Sequence, residues 1–259
     1  MDPKIEALKP KERFTDRVDA YIRYRPHYPK EIIPYLGRTI GLKKENIIAD
    51  IGSGTGFLSE LFLENGNYIY CVDPNEAMRD AGDDYLRKRF TNFASVNGSA
   101  EDSTLKSGSV DVVTAAQAFH WFDHAKFRDE CRRILRGPKW VVLVWNMRGE
   151  TESPFLREYE RIVKEFGQNY GEIRGKHSKL EEITKFFEGR TPEIGTFEAK
   201  QVFDFEGVRG RLLSSSYIPG EGSPRFNEMM AEVREQFDRY SVSGTIDMPH
   251  VTKVYSGRV

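Results

Sequence analysis

The chain is poor in several features that mark large classes of proteins. Its 259 residues include only two cysteines, Cys71 and Cys131, too few for a disulfide framework or a zinc site made of cysteines alone. Lysine and arginine number 39 against 40 aspartates and glutamates, whereas a dedicated nucleic-acid binder usually carries a basic excess. No stretch approaches the ~18 apolar residues of a membrane span, and the charged N-terminus lacks a signal-peptide core. We therefore expect a soluble cytoplasmic protein whose partners include neither nucleic acid nor membrane.

The chain does contain enough apolar material for an ordinary core. Hydrophobic residues make up 39 % and aromatic residues 12 %, which excludes the disordered and fibrous classes. Its length, divided by about 150 residues per domain, predicts one large domain or one domain with a sizeable insertion.

Short apolar runs alternate with amphipathic stretches through the first half of the sequence. Asn75 and Asp123 are suited to cap the helices that follow the second and fourth runs. The alternation of nearly continuous apolar runs with helices predicts right-handed crossovers in a doubly wound parallel sheet. The predicted strands are 47–51, 68–72, 93–96, 110–116 and 140–145.

The second half is more helical and more charged. Six apolar residues at helical spacing between 155 and 166 predict an amphipathic helix. Two further strands are predicted at 197–205 and 251–255, and helices near 206–215 and 224–240. The expected divisions are an N-terminal helical flap (1–45), a ligand-binding core (46–150), a helical insertion that caps the substrate (151–190) and a C-terminal completion of the sheet (191–259).

A glycine-rich motif, DIGSGTG at 50–56, covers the end of the first predicted strand and the loop that follows it. Glycines let a ligand approach the backbone where a Cβ would collide. The spacing is Gly-x-Gly-x-Gly, not the Gly-x-Gly-x-x-Gly that seats a pyrophosphate on a helix N-terminus. Asp50 precedes the loop, where it would repel a pyrophosphate and attract an ammonium group. The alternative is a glycine-rich turn that binds nothing.

Two further acidic positions follow the next two strands. Asp73 lies 21 residues after Gly52, the placement of a carboxylate that binds both ribose hydroxyls, although it would also suit an ordinary turn. Ser99, Ala100 and Glu101 follow the third strand, where an adenine would lie, although Ser99 would also suit a helix cap. A ligand with a cationic amine, a ribose diol and an adenine but no phosphate is S-adenosylmethionine (SAM).

These residues resemble the class I SAM-dependent methyltransferases. The loop at 50–56, with Gly52 and Gly54, is similar to their first motif, and VDPNEAM at 72–78 is similar to their second. The resemblance covers residues 12 to about 150. It implies an α/β, Rossmann-like fold with a mostly parallel seven-stranded sheet, SAM as cofactor and S-adenosylhomocysteine (SAH) as product. It also implies that Asp73 holds the ribose and that Pro74 and Met78 flank the adenine.

One subset of these enzymes fits more closely. The segments YIRYRPHYP at 21–29, AQAFHWFD at 116–123 and SSSYIP at 214–219 resemble the trans-aconitate-methyltransferase-like proteins of the methyltransferase type 11 group. Tyr21 and Arg25, in the first segment, would form a flap over the cofactor, because aromatic rings stabilise a sulfonium cation. The alternative is an amphipathic helix that packs Tyr21 inward.

The run HWFDH at 120–124 follows the fourth strand and is expected to face the transferred methyl group. Gln117 is a candidate for contact with the cofactor, and His120 with the substrate, while Trp121 would contact the substrate or merely pack. Two histidines four residues apart suggest zinc. No glutamate stands between them in the HExxH order, so we expect no metal.

The predicted activity is in-line transfer of a methyl group to a small molecule, with a carboxylic acid or another oxygen acceptor as the expected class. His120 and His27 are candidate bases, but a carboxylate acceptor needs none. A carboxylate would need arginine partners. The sequence offers these without placing them: Arg25, Arg148 and Arg211, with Tyr217 as a further substrate residue.

Two other functions remain open at this level. A NAD(P)-dependent oxidoreductase uses a similar sheet, and a non-catalytic protein would bind SAM without turnover. The glycine spacing and Asp50 argue against the first alternative, and the intact glycines and acids argue against the second. The expected oligomeric state is a monomer or a homodimer.

Overall fold

A computed structural model describes residues 18–148, 153–167, 180–215 and 217–259, with the side chains of Val18, Asp19 and Tyr21 outside the description. Strands and helices alternate through its first half, as predicted. In chain order they are α1 (Val18–Tyr24), α2 (Ile32–Thr39), β1 (Ile47–Ile51), α3 (Phe57–Asn65), β2 (Tyr68–Val72), α4 (Glu76–Leu86), β3 (Phe93–Val96), β4 (Val110–Ala116), a 3₁₀ turn (Phe119–Trp121), α5 (His124–Ile134) and β5 (Leu135–Arg148).

The second half supplies four helices and two strands to the described chain. They are α6 (Pro154–Phe166), α7 (Leu180–Phe186), β6 (Glu193–Phe203), α8 (Phe205–Leu213), α9 (Pro224–Tyr240) and β7 (Ile246–Arg258).

All seven strands form one sheet in the order β3-β2-β1-β4-β5-β7-β6. The first five are parallel, so their carboxyl ends meet at one edge of the sheet, on either side of the switch between β1 and β4. Strand β7 pairs antiparallel with both β5 and β6. The predicted mostly parallel seven-stranded sheet is confirmed.

Side chains of β5 alternate between the two faces of the sheet, as a strand requires. Val142 and Val144 join the apolar cluster beneath α2 and α3, while Leu143 and Trp145 join the cluster beneath α5 and α7. A third apolar cluster lies among α6, α8 and α9, where the six apolar residues of α6 are all buried. This helical layer packs beside the antiparallel end of the sheet.

Side-chain caps fix several helix starts. The predicted caps are confirmed, because the Asn75 side chain accepts a hydrogen bond from the Met78 amide at 3.1 Å, and that of Asp123 from the Lys126 amide at 3.2 Å. Asp204 caps α8 in the same way, so β6 ends at Phe203 and Phe205 begins a helix instead of ending a strand.

Three strands are longer than predicted. β5 begins at Leu135 instead of residue 140, β6 begins at Glu193 instead of 197, and β7 covers Ile246–Arg258 instead of 251–255. The three strands are longer because β7 forms backbone hydrogen bonds along most of its length with β5 on one side and β6 on the other.

The expected flap and cap are described only in part, because residues 1–17, 149–152 and 168–179 lie outside the described chain. In the described part of the flap, α1 packs against α8 and α4. No helix in the described ranges is long and apolar enough to cross a membrane.

Candidate active site

A cavity opens at the carboxyl ends of β1, β2, β3 and β4, and the space within it and its open mouth is about 1050 Å³. This is the edge at which doubly wound sheets bind their ligands. The predicted cofactor residues that line it are Asp50, Gly52, Gly54, Asp73, Pro74, Met78, Ser99, Ala100, Glu101 and Gln117.

The glycine loop forms the floor of this cavity because its backbone takes conformations that other residues avoid. Gly52 has φ +70°, and a Cβ there would lie 2.7 Å from the Cβ of Ala118. Gly54 has φ +53° and faces the Met78 side chain. The glycines therefore keep the loop thin between β4 and α4 and leave its backbone exposed to a ligand.

Asp73 is held rigidly at the tip of β2. Its Oδ2 accepts a hydrogen bond from the Gly54 amide and its Oδ1 from the Asn75 amide, both at 2.9 Å. Burial raises the pKa of Asp73, and the two amide hydrogen bonds oppose that rise. Each carboxylate oxygen still has a lone pair, so the group is able to accept hydrogen bonds from two ribose hydroxyls as well.

Asp50 lies deeper, beneath the loop, and its carboxylate is fully buried. Oδ2 accepts from the Ser59 hydroxyl at 2.7 Å and Oδ1 from the Thr114 hydroxyl at 2.9 Å. Burial raises the pKa of Asp50 to about 6, the two hydrogen bonds oppose the rise, and the charge of Asp73 adds to it. Asp50 therefore ties β1 to α3 and β4, while its negative charge acts on the cavity from below.

The residues after β3 connect two loops. The Ser99 hydroxyl accepts hydrogen bonds from the amides of Glu101 and Asp102, each at 3.2 Å, which closes a turn. The next element after β3 is β4, so the alternative of a helix capped by Ser99 is wrong. Glu101 Oε1 accepts from the Asp123 amide at 2.9 Å and so fixes this wall to the start of α5.

The charge of the lining residues determines which ligands suit this cavity. Three carboxyl groups line it, those of Asp50, Asp73 and Glu101, and none of the lining residues in the described chain is lysine, arginine or histidine. A pyrophosphate would be repelled here, whereas a cationic nucleoside without phosphate would be stabilised. The Thr55 hydroxyl is also buried at this loop and has no hydrogen-bond partner within the described ranges. SAM fits this set of groups.

The run at 120–124 is divided between the cavity and the core. Trp121 lines the cavity, but the buried ring of His120 lies outside its lining, 4.7 Å from that of Trp121. His124 stacks on Phe119 at 3.9 Å instead of turning toward His120. Within the described ranges no three histidine, cysteine, aspartate or glutamate side chains come together in a way that would hold a metal ion.

Gln117 stands at the tip of β4 in a conformation that is rare for its residue type, with φ +54°. Its Nε2 donates to the Asn146 carbonyl at 2.8 Å. This bond connects the cavity wall to the end of β5.

The N-terminal candidates lie mostly beside the cavity. Arg25 Nη2 donates to the Ser214 carbonyl at 2.8 Å and to the Ser215 hydroxyl at 3.2 Å, so this side chain turns toward the end of α8 and is absent from the cavity lining. The backbone of Tyr21 belongs to α1, and the position of its side chain lies outside the description. Tyr28, which we did not predict, lines the cavity.

His27 and Tyr217 also lie outside the cavity lining. The His27 ring stacks on Phe57 at 4.2 Å, and its Nδ1 lies 3.1 Å from Glu60 Oε2. Phe57 itself lines the cavity, so His27 stands directly behind one wall. Tyr217 lies beyond Gln117 and Asn146, where Arg148 Nη2 is 3.1 Å from its hydroxyl.

Sequence reasoning missed several lining residues. Thr55 lies within the glycine loop, and Phe57 and Leu58 begin the helix after it, so extending the motif by two positions would have found them. Tyr28 and Phe122 lie outside the glycine loop but inside the segments at 21–29 and 116–123, whose resemblance to known methyltransferases was the signal that could have found them.

Comparisons with known proteins agree with this site. A family model described as Methyltransferase domain matches residues 49–143, which include the glycine loop and Asp73. An uncharacterised methyltransferase of Mycobacterium tuberculosis is 36 % identical over 239 residues, 92 % of each chain, and one of Schizosaccharomyces pombe is 24 % identical over 243 residues, 93 % and 94 % of the two chains.

Among solved structures, one from Anaeromyxobacter dehalogenans described as a type II methyltransferase shares the fold. It has a TM-score of 0.65 at 22 % identity and covers 91 % of this chain and 98 % of that one. The matched sequence and the shared fold show that this chain belongs to the class I SAM-dependent methyltransferases.

Proposed function

We propose that this chain transfers a methyl group from SAM, bound in the acid-lined cavity, to an oxygen of a small-molecule acceptor. The observation that carries the proposal is the combination of three carboxyl groups with the absence of any basic side chain among the described lining residues. When bound there, SAM supplies an electrophilic methyl group on a cationic sulfonium, which an acceptor oxygen takes directly, leaving SAH.

Each wall of the cavity has a role in this proposal. Asp73 binds the ribose hydroxyls, because its oxygens are already oriented by the amides of Gly54 and Asn75. Pro74 and Met78 flank the adenine from one side, and residues 99–101 face its edge. The backbone of residues 52–54 lies against the amino-acid part, which the buried charge of Asp50 favours electrostatically.

The remaining walls position the acceptor and exclude water. Tyr28, Trp121 and Phe122 are large rings at the cavity wall, where they shield the reacting atoms from solvent. Holding the acceptor in line is the main catalytic contribution, since positioning alone supplies up to ~7–11 kcal/mol.

The placement of the histidines bears on the acceptor. Neither His27 nor His120 belongs to the cavity lining, and the Asp50 oxygens are already hydrogen-bonded. An acceptor that is already ionised, such as a carboxylate, needs no base and suits this arrangement best.

The test is calorimetry of the full chain with SAM, SAH and NAD, followed by transfer of labelled methyl groups to a panel of carboxylic acids, alcohols and amines. We expect heat with SAM and SAH but not with NAD, and label incorporated into an oxygen acceptor. Absence of heat with both SAM and SAH would overturn the cofactor assignment, and transfer to amines alone would overturn the acceptor class.

A further inference from the structure

A second polar region lies beside the cavity and has the opposite charge. It brings together Arg25 after α1, Arg148 at the end of β5 and Arg211 in α8. Arg25 and Arg211 both donate to Ser214, and Arg148 donates to Tyr217, so the three guanidiniums meet at the end of α8. Burial lowers the pKa of Arg211, and the like charges of Arg25 and Arg148 lower it further.

Arg211 gives the strongest evidence that this region binds an anion. Arg211 is only 7 % exposed, and its guanidinium donates a long hydrogen bond, of 3.4 Å, to the Ser214 hydroxyl. Within the described ranges no carboxylate lies within ion-pair distance of Arg211, and Glu160 lies 3.5 Å from Arg148 instead. A buried guanidinium that lacks a counter-ion is costly, so a site of this kind favours an anionic ligand.

Neutral polar groups complete the region. The Tyr159 hydroxyl is buried without a hydrogen-bond partner among the described residues, and so is Nε2 of His250, which pairs directly opposite Arg148 in the sheet. The Arg148 guanidinium lies over the Tyr159 ring at 5.3 Å. The Tyr159 hydroxyl is thus a donor that nothing in the described chain uses.

The pKa of Tyr217 reflects the positive charge of the same three arginines. Burial raises the pKa of its phenol, yet Arg148, Arg25 and Arg211 together with a hydrogen bond from Ser215 bring it down to about 7. Three positive charges around one phenol account for the direction of this shift.

Two connections join this region to the cavity. Arg25 comes three residues before Tyr28, a cavity residue, and the Asn146 side chain donates to the Pro26 carbonyl between them at 3.0 Å. The Asn146 carbonyl also accepts from Gln117 of the cavity wall. Arg148 follows Asn146 by two residues on the same face of β5, about 7 Å along the strand. Asn146 therefore connects the arginine region to the cavity wall at Gln117.

We propose that Arg25, Arg148 and Arg211, with the hydroxyls of Tyr159 and Tyr217, bind an oxyanion of the methyl acceptor, either a carboxylate or a phosphate. Planar guanidiniums match both groups through paired hydrogen bonds. An oxyanion neutralised in this way is a poor nucleophile, so the oxygen that takes the methyl group is a different atom. The acceptor thus carries an anchoring anion and a separate nucleophilic oxygen. This inference rests on the proposed function.

The experiment measures binding of small anions to the full chain saturated with SAH. Succinate is compared with succinamide, which has a similar shape without the charge, and glycerol phosphate with glycerol, which lacks the phosphate group. We expect at least one anion to bind at least tenfold more tightly than its uncharged partner. Preference for succinate or for glycerol phosphate identifies the class of anion, and equal affinities within both pairs would overturn the proposal.

Three variants locate the binding. Arg211→Gln is expected to weaken anion binding at least tenfold, and Tyr159→Phe, which removes only an unpartnered hydroxyl and keeps the fold, about threefold to tenfold. The matched control is Arg209→Gln on the same helix, where Arg209 is exposed and paired with Glu221, and we expect no change. Unchanged anion affinity in folded Tyr159→Phe and Arg211→Gln would overturn the assignment.

The affinity for SAH separates this inference from the proposed function. Retained SAH binding together with loss of the anion preference refutes the oxyanion site alone. Failure of the wild-type chain to bind SAH or SAM refutes the proposed function, whatever the anions do.

Discussion

The two polar regions of this molecule differ in charge and in how the chain builds them. The cavity at the parallel end of the sheet is acidic, and most of its residues come from the loops that directly follow β1 to β4. The arginine region is basic and joins five separate segments, for example Arg25 with Ser214, which are 189 residues apart. A site made of strand-end loops is encoded by short motifs, whereas a site made of packed segments depends on the whole fold.

The difference in charge also assigns the two ligands of the proposed reaction to different regions. The acidic cavity favours a cationic cofactor, and the basic region favours an anionic acceptor, so each ligand is repelled from the site of the other. The following variants test this division from the largest expected effect to the smallest.

Gly54→Val is expected to abolish SAM binding while leaving anion binding intact. The left-handed backbone at Gly54 strains any L-residue by ~1–2 kcal/mol, so valine shifts the loop and with it the amide that donates to Asp73. The valine side chain also takes up space at the floor of the cavity, so calorimetry is expected to detect no SAH binding.

The control for backbone strain is Gly108→Val. Gly108 has φ +61°, and a Cβ added there would meet nothing within 4 Å, so this variant carries similar strain far from the cavity. Its SAH affinity is expected to match that of the wild type. Normal SAH binding by Gly54→Val would show that the loop does not contact the ligand.

Asp50 is expected to make stability depend on pH. Its pKa in the folded chain is about 6 against an ordinary value of 3.8, so its contribution is fully present below about pH 3.8 and lost as pH rises through about 6. At ~1.4 kcal/mol per pH unit this amounts to about 3 kcal/mol. Denaturant unfolding of wild type and Asp50→Asn at both ends of this range measures it.

Asp111 provides a control of opposite sign. The hydrogen-bonded Arg136 lowers the pKa of Asp111, so its contribution is present above its unfolded pKa and lost as pH falls. Asp111→Asn should therefore lose stability relative to wild type at neutral pH more than in acid. The same pH dependence in both variants would contradict the assignment for Asp50.

Asp73→Ala is expected to weaken SAM binding roughly tenfold to a hundredfold, since charge-assisted hydrogen bonds contribute ~1.5–3 kcal/mol. The matched control is Asp83→Ala on α4, where Asp83 pairs with Arg87 near the surface and leaves the cavity untouched. Undiminished SAM affinity in Asp73→Ala would remove the ribose assignment, and anion binding is expected to persist in both variants.

Tyr217 gives the smallest expected effect. Because its pKa is lowered from 10.0 to about 7, ultraviolet absorbance of tyrosinate should rise near neutral pH and be missing from Tyr217→Phe. The phenolate adds a negative charge beside the arginines, and its repulsion of a bound anion is at least the ~1 kcal/mol that applies at 4 Å in water. Anion affinity should thus fall at least about fivefold as pH rises through this range.

A second tyrosine variant serves as the comparison. Tyr68→Phe alters an exposed ring on β2 and should leave the near-neutral absorbance change in place. If the wild type shows no such change, the positive potential inferred around Tyr217 is wrong.

The fold was predictable because its signals are local. Apolar runs, glycine breaks and the caps at Asn75 and Asp123 each act within a few residues, and the sheet of seven strands follows from their order. The lengths of β5, β6 and β7 were not predictable, because they depend on pairing between strands far apart in the sequence.

The candidate site likewise combines residues that local motifs predicted with residues that only the fold brings together. The glycine loop and the acids at three strand tips all line one cavity, as their positions in the sequence suggested. His120 comes from the same segment, yet the 3₁₀ turn rotates its ring out of the lining and presents Trp121 instead. The arginines were visible as residues, but only the packing of α1 on α8 and the pairing of β5 with β7 bring them together.

The place of β7 between β5 and β6 has a consequence for how the molecule assembles during synthesis. β6 is made before β7 but joins the sheet only through it, so β6 pairs with no strand of this sheet until β7 has been made. The five parallel strands do not depend on β7 for their pairing. The cofactor half is therefore able to form before the basic half, to which β7 contributes His250.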